Sequence, residues 1–291
     1  MARRTHWGIA VVLFLGFCAA ARAQQSYLDE TVIHVKPGKG SAWEAMVKKV
    51  VAANRDHKGD TWVALQTAYG EGDTVRFVSV RQSYAETEKA SDAFDAAMDK
   101  AMGHAAAEKL FADLADDTTE SRNTLLLRRP DLSSNFPADA AAEAKIVGST
   151  RWIRIIRIVL RSGQGLRFED LAKQVKAAQE KADPNLYSWV SQSVAGESAG
   201  VYYVAQLRSS LAGFDGETPM PQIMGNDAYL NMLKTASEII QSESITLGVF
   251  RPELSNPPEG VVDVAPSFWR PKPAAPKPAA KSAPSQAPAK K

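Results

Sequence analysis

One motif occurs twice in this chain, and a chain that repeats itself in this way is built from two copies of one folding unit. Pro37-Gly38-Lys39-Gly40-Ser41-Ala42-Trp43-Glu44 returns as Ser162-Gly163-Gln164-Gly165-Leu166-Arg167-Phe168-Glu169, with Gly38 and Gly163 lying 125 positions apart. Each copy also closes alike. Arg129-Pro130-Asp131-Leu132-Ser133 ends the first and Arg251-Pro252-Glu253-Leu254-Ser255 ends the second.

Within each copy the order of elements can be read from periodicity. The β-branched run at 31–35 is stopped by Pro37-Gly38, which predicts a strand and a turn. Ser41 followed by Glu44 reads as a capping box, and Trp43, Met46, Val47 and Val50 share one helical face. The second copy keeps the pattern with the apolar run at 155–160 and then Phe168, Leu171, Ala172 and Val175. Residues 61–69 and 74–81 flank a Gly-rich turn and predict a hairpin, matched by 187–195 and 201–208. Trp62-Val63 and Trp189-Val190 sit at a different offset from Gln66-Thr67 and Gln192-Ser193, which a one-residue bulge in one copy explains. An Ala-rich helical region at 85–116 breaks near Gly103, as its counterpart does at Gly225, and strands at 123–128 and 245–250 close the two units.

The order is therefore β-α-β-β-α-β, the ferredoxin-like α+β unit, whose sheet carries helices on one face and needs cover on the other. Two tandem units can cover each other. On these features the chain resembles the dimeric α+β barrel superfamily, which includes antibiotic-biosynthesis-type monooxygenases, EthD-like and NIPSNAP-like proteins and haem-degrading enzymes. The resemblance spans residues 28–256 and implies a pseudo-dimeric α+β barrel fused in one chain, a monomer with pseudo-twofold symmetry. The first unit is assigned to 24–140 and the second to 141–256. Because the likeness rests on element order and not on a diagnostic motif, it speaks to fold and leaves activity open.

Charge is unevenly spread. The formal net charge of +2 includes +3 from Arg3, Arg4 and Arg22 and +6 from Arg270, Lys272, Lys277, Lys281, Lys290 and Lys291, which leaves the middle of the chain at −7. An acidic body of this kind does not suit nucleic acid. Residues 1–23 have the three parts of a secretory signal, with Arg3 and Arg4, an apolar run from Ile9 to Ala21, and Ala21-Arg22-Ala23 before a cleavage point at Gln24. A periplasmic or secreted location is expected. Cys18 is the only cysteine, so the mature chain has no disulfide and no thiol chemistry. Residues 257–291 read as a disordered Pro/Ala/Lys tail, either a solubilising end or one drawn to an anionic envelope surface.

Strand alternation places Ile33 and Val35, with Ile156, Ile158 and Leu160, under the helices, and sends His34 and Arg157 to the other face, toward the enclosed side of a barrel. Arg157 in an Ile-Ile-Arg-Ile-Val run must meet solvent, an acidic partner or an anionic ligand. Trp62 is the aromatic candidate for ligand contact on the hairpin, with core packing as its alternative. His104, beside the helix break, is the candidate that the haem-handling members of the superfamily suggest, although Asn226 holds the matching place in the second copy. No histidine spacing suits a metal, and no catalytic triad, phosphate loop or dinucleotide fingerprint is present, so no cofactor is called for. The expected function is binding of a small apolar or amphipathic molecule, or service as an interaction module. The alternative is a cofactor-independent monooxygenase or haem-handling enzyme in the same barrel.

Overall fold

Alternating apolar residues build eight strands, and helical runs build the layers that cover them. The computed structural model describes residues 25–198 and 200–271. The signal segment expected at 1–23 and the tail lysines lie outside those residues. The first unit comprises β1 (Tyr27–Val35), α1 (Gly40–His57), β2 (Val63–Tyr69), β3 (Thr74–Arg81), α2 (Tyr84–Met102), α3 (His104–Asp116) and β4 (Thr118–Arg128). A connecting helix, α4 (Ala140–Ser149), leads to β5 (Trp152–Leu160), α5 (Gly165–Ala182), β6 (Ser188–Ala195), β7 (Val201–Arg208), α6 (Met220–Met224), α7 (Asn226–Ile239) and β8 (Ile240–Phe250). Two short helices, α8 (Glu259–Val264) and α9 (Pro266–Trp269), complete the chain described.

The strands close into a barrel in the order β1-β3-β2-β8-β5-β7-β6-β4, with every neighbouring pair antiparallel. Each unit supplies a four-stranded ferredoxin-like sheet, and β2–β8 and β4–β6 join the two, so no strand is left with a free edge. One strand face looks into the barrel and the other looks out at the helices. In the first unit Ile33, Val35, Trp62, Ala64, Val75 and Phe77 pack outward against Trp43, Val47 and Val50 of α1, Met98 of α2 and Leu110 of α3. The second unit repeats this with Ile158, Leu160, Val190 and Tyr202 under Phe168 and Leu171 of α5 and Ile239 of α7. Inside the barrel, Leu65, Leu126, Ile153, Ile155, Val201 and Phe250 form a third core.

The two closing motifs cross over. Arg129 leaves the first unit and bonds Glu169 of α5 at 2.8 Å, while Arg251 leaves the second and bonds Glu44 of α1 at 3.0 Å. Gln192 and Gln66 complete the same pair of contacts. Ser133 Oγ accepts from the Val190 amide and Ser255 Oγ from the Ala64 amide, both at 2.8 Å. Leu132 is buried in the second unit's core and Leu254 in the first unit's core. Each helix thus holds the tail of the other unit. Bonds to Asp131 and Glu169 hold the Arg129 guanidinium above its ordinary pKa, and the same bonds hold both carboxyls below theirs.

Several expectations need correction. Ser41 and Glu44 form no capping box, because α1 begins at Gly40 without a side-chain cap and Glu44 is taken by Arg251. A side-chain cap stands instead at α2, where Ser83 Oγ accepts from the Glu86 amide and the Glu86 carboxylate accepts from the amide of Gln82, the residue before the cap. The bulge is present in both copies, with Ala68 skipped in the β2–β8 register and Val194 in the β6–β4 register. Trp62 and Trp189 are accordingly not counterparts. Trp62 and Ser188 occupy matching bridges to Asn256 and Ser134, so Trp189 falls one residue along and on the opposite face.

Part of the stretch expected to be disordered, 257–291, is folded. Residues 259–269 fold as α8 and α9 and stop one end of the barrel with Val261, Val262 and Trp269, the last with 0% of its surface exposed. Trp269 packs edge-on against Phe250 and donates its indole N–H to the Gly148 carbonyl at 3.0 Å. Gly148 is needed there, since a Cβ would lie 2.6 Å from Val264 and 2.8 Å from the Val261 carbonyl. Three apolar residues in a Pro-rich stretch are enough because the barrel mouth completes their burial.

Two outcomes follow. Trp269→Ala should lower stability by about 3–5 kcal/mol in urea unfolding, the usual cost of deleting a buried indole. In Arg129→Met the acid limb of the stability curve should flatten: the depressed Glu169 and Asp131 pKa values contribute stability above about pH 4 that is lost as pH falls through the folded values, and the variant has less to lose. Chemical unfolding at a series of pH values checks this.

Candidate functional site

A cavity of about 500 Å³ lies in the first unit, between the outer face of its sheet and the helix layer. Trp43, Val47 and Val50 of α1 roof it, Phe94 of α2 with Phe111 and Leu114 of α3 close one side, and Ile33 and Phe77 form the floor. Trp62 completes the wall. Its ring stands 6.1 Å from Phe94, which stands 5.9 Å from Phe111, so the aromatic surface is continuous, and Trp43 meets Phe77 at 6.1 Å. The Trp62 indole is fixed by a 2.8 Å bond to the Leu254 carbonyl, a contact delivered by the crossed closing motif of the second unit.

The polar groups sit at the ends. At one, Arg81 forms a paired bond to Asp60 at 2.6 and 2.8 Å and a longer one of 3.4 Å to Asp29. Burial works to lower the Arg81 pKa, but these carboxylates outweigh it and hold the guanidinium above its ordinary value. Ser79 Oγ is bonded to the Thr61 carbonyl at 2.8 Å. Thr118, Thr119, Glu120 and Ser121 border the other end. Asp29, Asp60 and Glu120 outnumber the single cation Arg81, so the lining is acidic. The Trp43 indole nitrogen, on a residue with 1% of its surface exposed, has no hydrogen-bond partner. A buried donor left unmade is costly, and a cavity beside it is where a partner can sit.

The second unit packs its helix against its sheet with different residues. Phe168 replaces Trp43, and Tyr202, opposite Ile158, stands where Val75 stands opposite Ile33. The Tyr202 ring stacks 4.4 Å from Phe168, and its hydroxyl donates to Glu169 at 3.3 Å. A smaller hollow of about 240 Å³ lies between α5 and α7, but Arg167, Asp170, Gln174 and Asn231 make it polar and it does not match the first.

Of the four residues singled out from the sequence, the structure brings only Trp62 into the cavity. His34 faces the barrel, 3.0 Å from Thr74 Oγ1 and 3.7 Å from Glu71. Arg157 also faces the barrel, bonded to Glu197 at 2.8 and 3.0 Å. His104 is a surface residue, its side chain 74% exposed, and Asp99 at 3.1 Å leads the contacts that raise its pKa. Sequence reasoning passed over Trp43 as a ligand contact, together with Asp60 and Arg81, although the Trp43/Phe168 difference between the copies was a visible signal. The lining holds no histidine, cysteine, methionine or tyrosine, so among the described residues it offers no axial ligand for haem iron. No group of three or more His, Cys, Asp or Glu converges to hold a metal among the described residues. No helix described is long and apolar enough to cross a membrane.

No protein-family model matches the chain, and no curated protein sequence matches it. Among solved structures, a monooxygenase candidate from Fusobacterium nucleatum superposes with a TM-score of 0.50 at 8% identity, covering 78% of this chain and 93% of its own. A monooxygenase candidate from Lactobacillus acidophilus gives 0.47 at 9% identity, covering 78% and 94%, and chlorite dismutase from Candidatus Nitrospira defluvii gives 0.43 at 10%, covering 82% and 94%. At such identities the likeness is one of fold. The chain has an α+β barrel fold, with both ferredoxin-like halves in one polypeptide.

Tyr202, with 1% of its surface exposed, packs in the second unit's core, so Tyr202→Val should cost about 2–4 kcal/mol, in the range for deleting a large buried side chain. Urea denaturation of the purified variant checks it.

Proposed function

We propose that the first unit binds a small, flat, largely apolar molecule bearing a hydroxyl or amino group, and that it does so outside the cytoplasm. The observation that carries this reading is the aromatic cavity with a buried, unpartnered indole N–H at Trp43. An acceptor oxygen on the ligand would satisfy that donor. Asp29 and Asp60 at the polar end favour a hydrogen-bond donor on the ligand and disfavour a carboxylate, since the lining already carries more negative than positive charge. The volume falls in the usual range for a small-molecule site. Residues 1–23, with their basic, apolar and small-residue parts, support the location.

A second reading is cofactor-independent oxygenation of the bound molecule. It is supported by the fold shared with a monooxygenase candidate and by carboxylates at the cavity end that can accept a proton. Dioxygen uptake in the presence of the ligand separates the two, because a carrier consumes none.

Native mass spectrometry of protein purified from its own host should reveal a bound aromatic species. Val47→Phe, which places a ring in the cavity from the α1 side, should leave the protein folded and weaken that ligand at least about tenfold, the equivalent of 1.4 kcal/mol. Undiminished binding in the Val47→Phe protein would remove the cavity from consideration.

A further inference from the structure

The barrel interior has polar demands that the chain does not meet. Glu30 Oε2, Arg76 Nε, Arg122 Nε, Thr124 Oγ1 and Ser193 Oγ are all buried without a hydrogen-bond partner. They lie together. Glu30 stands opposite Thr124, Arg76 and Arg122 flank Val32 from the strands on either side, and Ser193 pairs with Leu126, the next inward position beyond Thr124. Thr124 is only 2% exposed and Glu30 only 5%.

Glu197 joins this group from the turn after β6. Gly196, at φ +87°, lies so close to β4 that a Cβ would fall 2.1 Å from the Asn123 carbonyl oxygen, and this close approach delivers Glu197 into the barrel. Glu197 accepts from Arg157 at 2.8 Å and from the Tyr203 hydroxyl, and stands 3.6 Å from Arg122. Burial, reinforced by Glu197, pushes the Tyr203 hydroxyl pKa up, so it stays protonated as a donor. Glu30 is held by Arg76 at 3.2 Å through its other oxygen.

We propose that this interior is a second ligand site, for a small oxyanion that also carries an O–H group, such as hydrogen phosphate or a hydroxy acid. The guanidiniums of Arg76, Arg122 and Arg157 supply charged donors of the kind that hold an oxyanion. Four of the five orphaned atoms are donors suited to oxyanion oxygens, and the fifth, Glu30 Oε2, needs a donor, which the ligand's O–H provides. Access is from the end away from Trp269, where Arg122 and Arg157 keep about a third of their side-chain surface exposed (35% and 32%). The site is distinct from the aromatic cavity, which lies on the other face of β1 and β3 and is acidic.

The test is thermal unfolding of the full chain with inorganic phosphate, glycolate, acetate or chloride at matched ionic strength, so that general screening is held constant. Phosphate or glycolate should raise Tm in a saturable way, by about 5 °C at a hundredfold excess over Kd, and acetate and chloride should not. Arg122→Gln and Thr124→Val should each shift the midpoint of that response at least about tenfold, while Val47→Phe leaves it in place. Without ligand, Thr124→Val should raise Tm, because an orphaned buried hydroxyl is removed. A fall in its Tm with an unchanged phosphate response would assign these atoms to structural water and overturn the proposal, as would the absence of any saturable shift in the parent protein.

Discussion

The exchange of closing motifs between the two units is the constraint on which the rest of the structure depends. Arg129 and Arg251 each leave the unit that made them and end on a glutamate of the other unit's first helix. Both contacts are partly shielded and charge-assisted, the kind of ion pair whose loss leaves a carboxylate without its partner. Leu132 and Leu254 follow the arginines into the opposite cores, so electrostatic and apolar contributions act at the same place. Neither helix layer is complete without the other unit. The functional cavity inherits this dependence, because the Trp62 ring in its wall is oriented by the carbonyl of Leu254.

Barrel closure then divides the protein into three interiors of different character. The two helix–sheet cores are apolar and carry the unit's own packing. The barrel core is apolar only toward the α4–α8–α9 stopper, where Phe250 and Trp269 meet, and becomes charged toward the opposite end. A charged interior is tolerated because the guanidiniums there are bonded to Glu30 and Glu197 and because that end reaches solvent. Polarity along the barrel axis thus follows from which end is stopped.

Most of the secondary structure was legible because it rests on local periodicity. The duplicated turn, the apolar strand faces and the helix breaks at Gly103 and Gly225 all carry their signal within a few residues, and the breaks have nearly the same geometry, with φ of +82° and +84°. What was illegible was long-range. Glu44 looked like half of a capping box because its real partner is 207 positions away. Glu197 looked like a turn residue, and nothing nearby in the chain says that its turn presses against β4. The two tryptophans of the hairpins invited alignment, yet a single position in a strand reverses the face. The cavity was placed inside the barrel from sequence because His34 and Arg157 point there. Its actual position depends on volume left unfilled among Trp43, Trp62 and Phe77, a quantity that no single residue announces.

The difference between Val75 and Tyr202 has a consequence for how such a protein can change over time. In a barrel made from two identical chains, any substitution is written into both halves at once, so a site that needs an empty space must keep it empty twice. Joining the halves in one polypeptide removes that coupling. One copy can then set Tyr202 against Phe168 in its core, while its sibling keeps the hollow lined by Trp43, Trp62 and Phe77. Stability and openness, which compete within one unit, are here assigned to different halves of the same gene product.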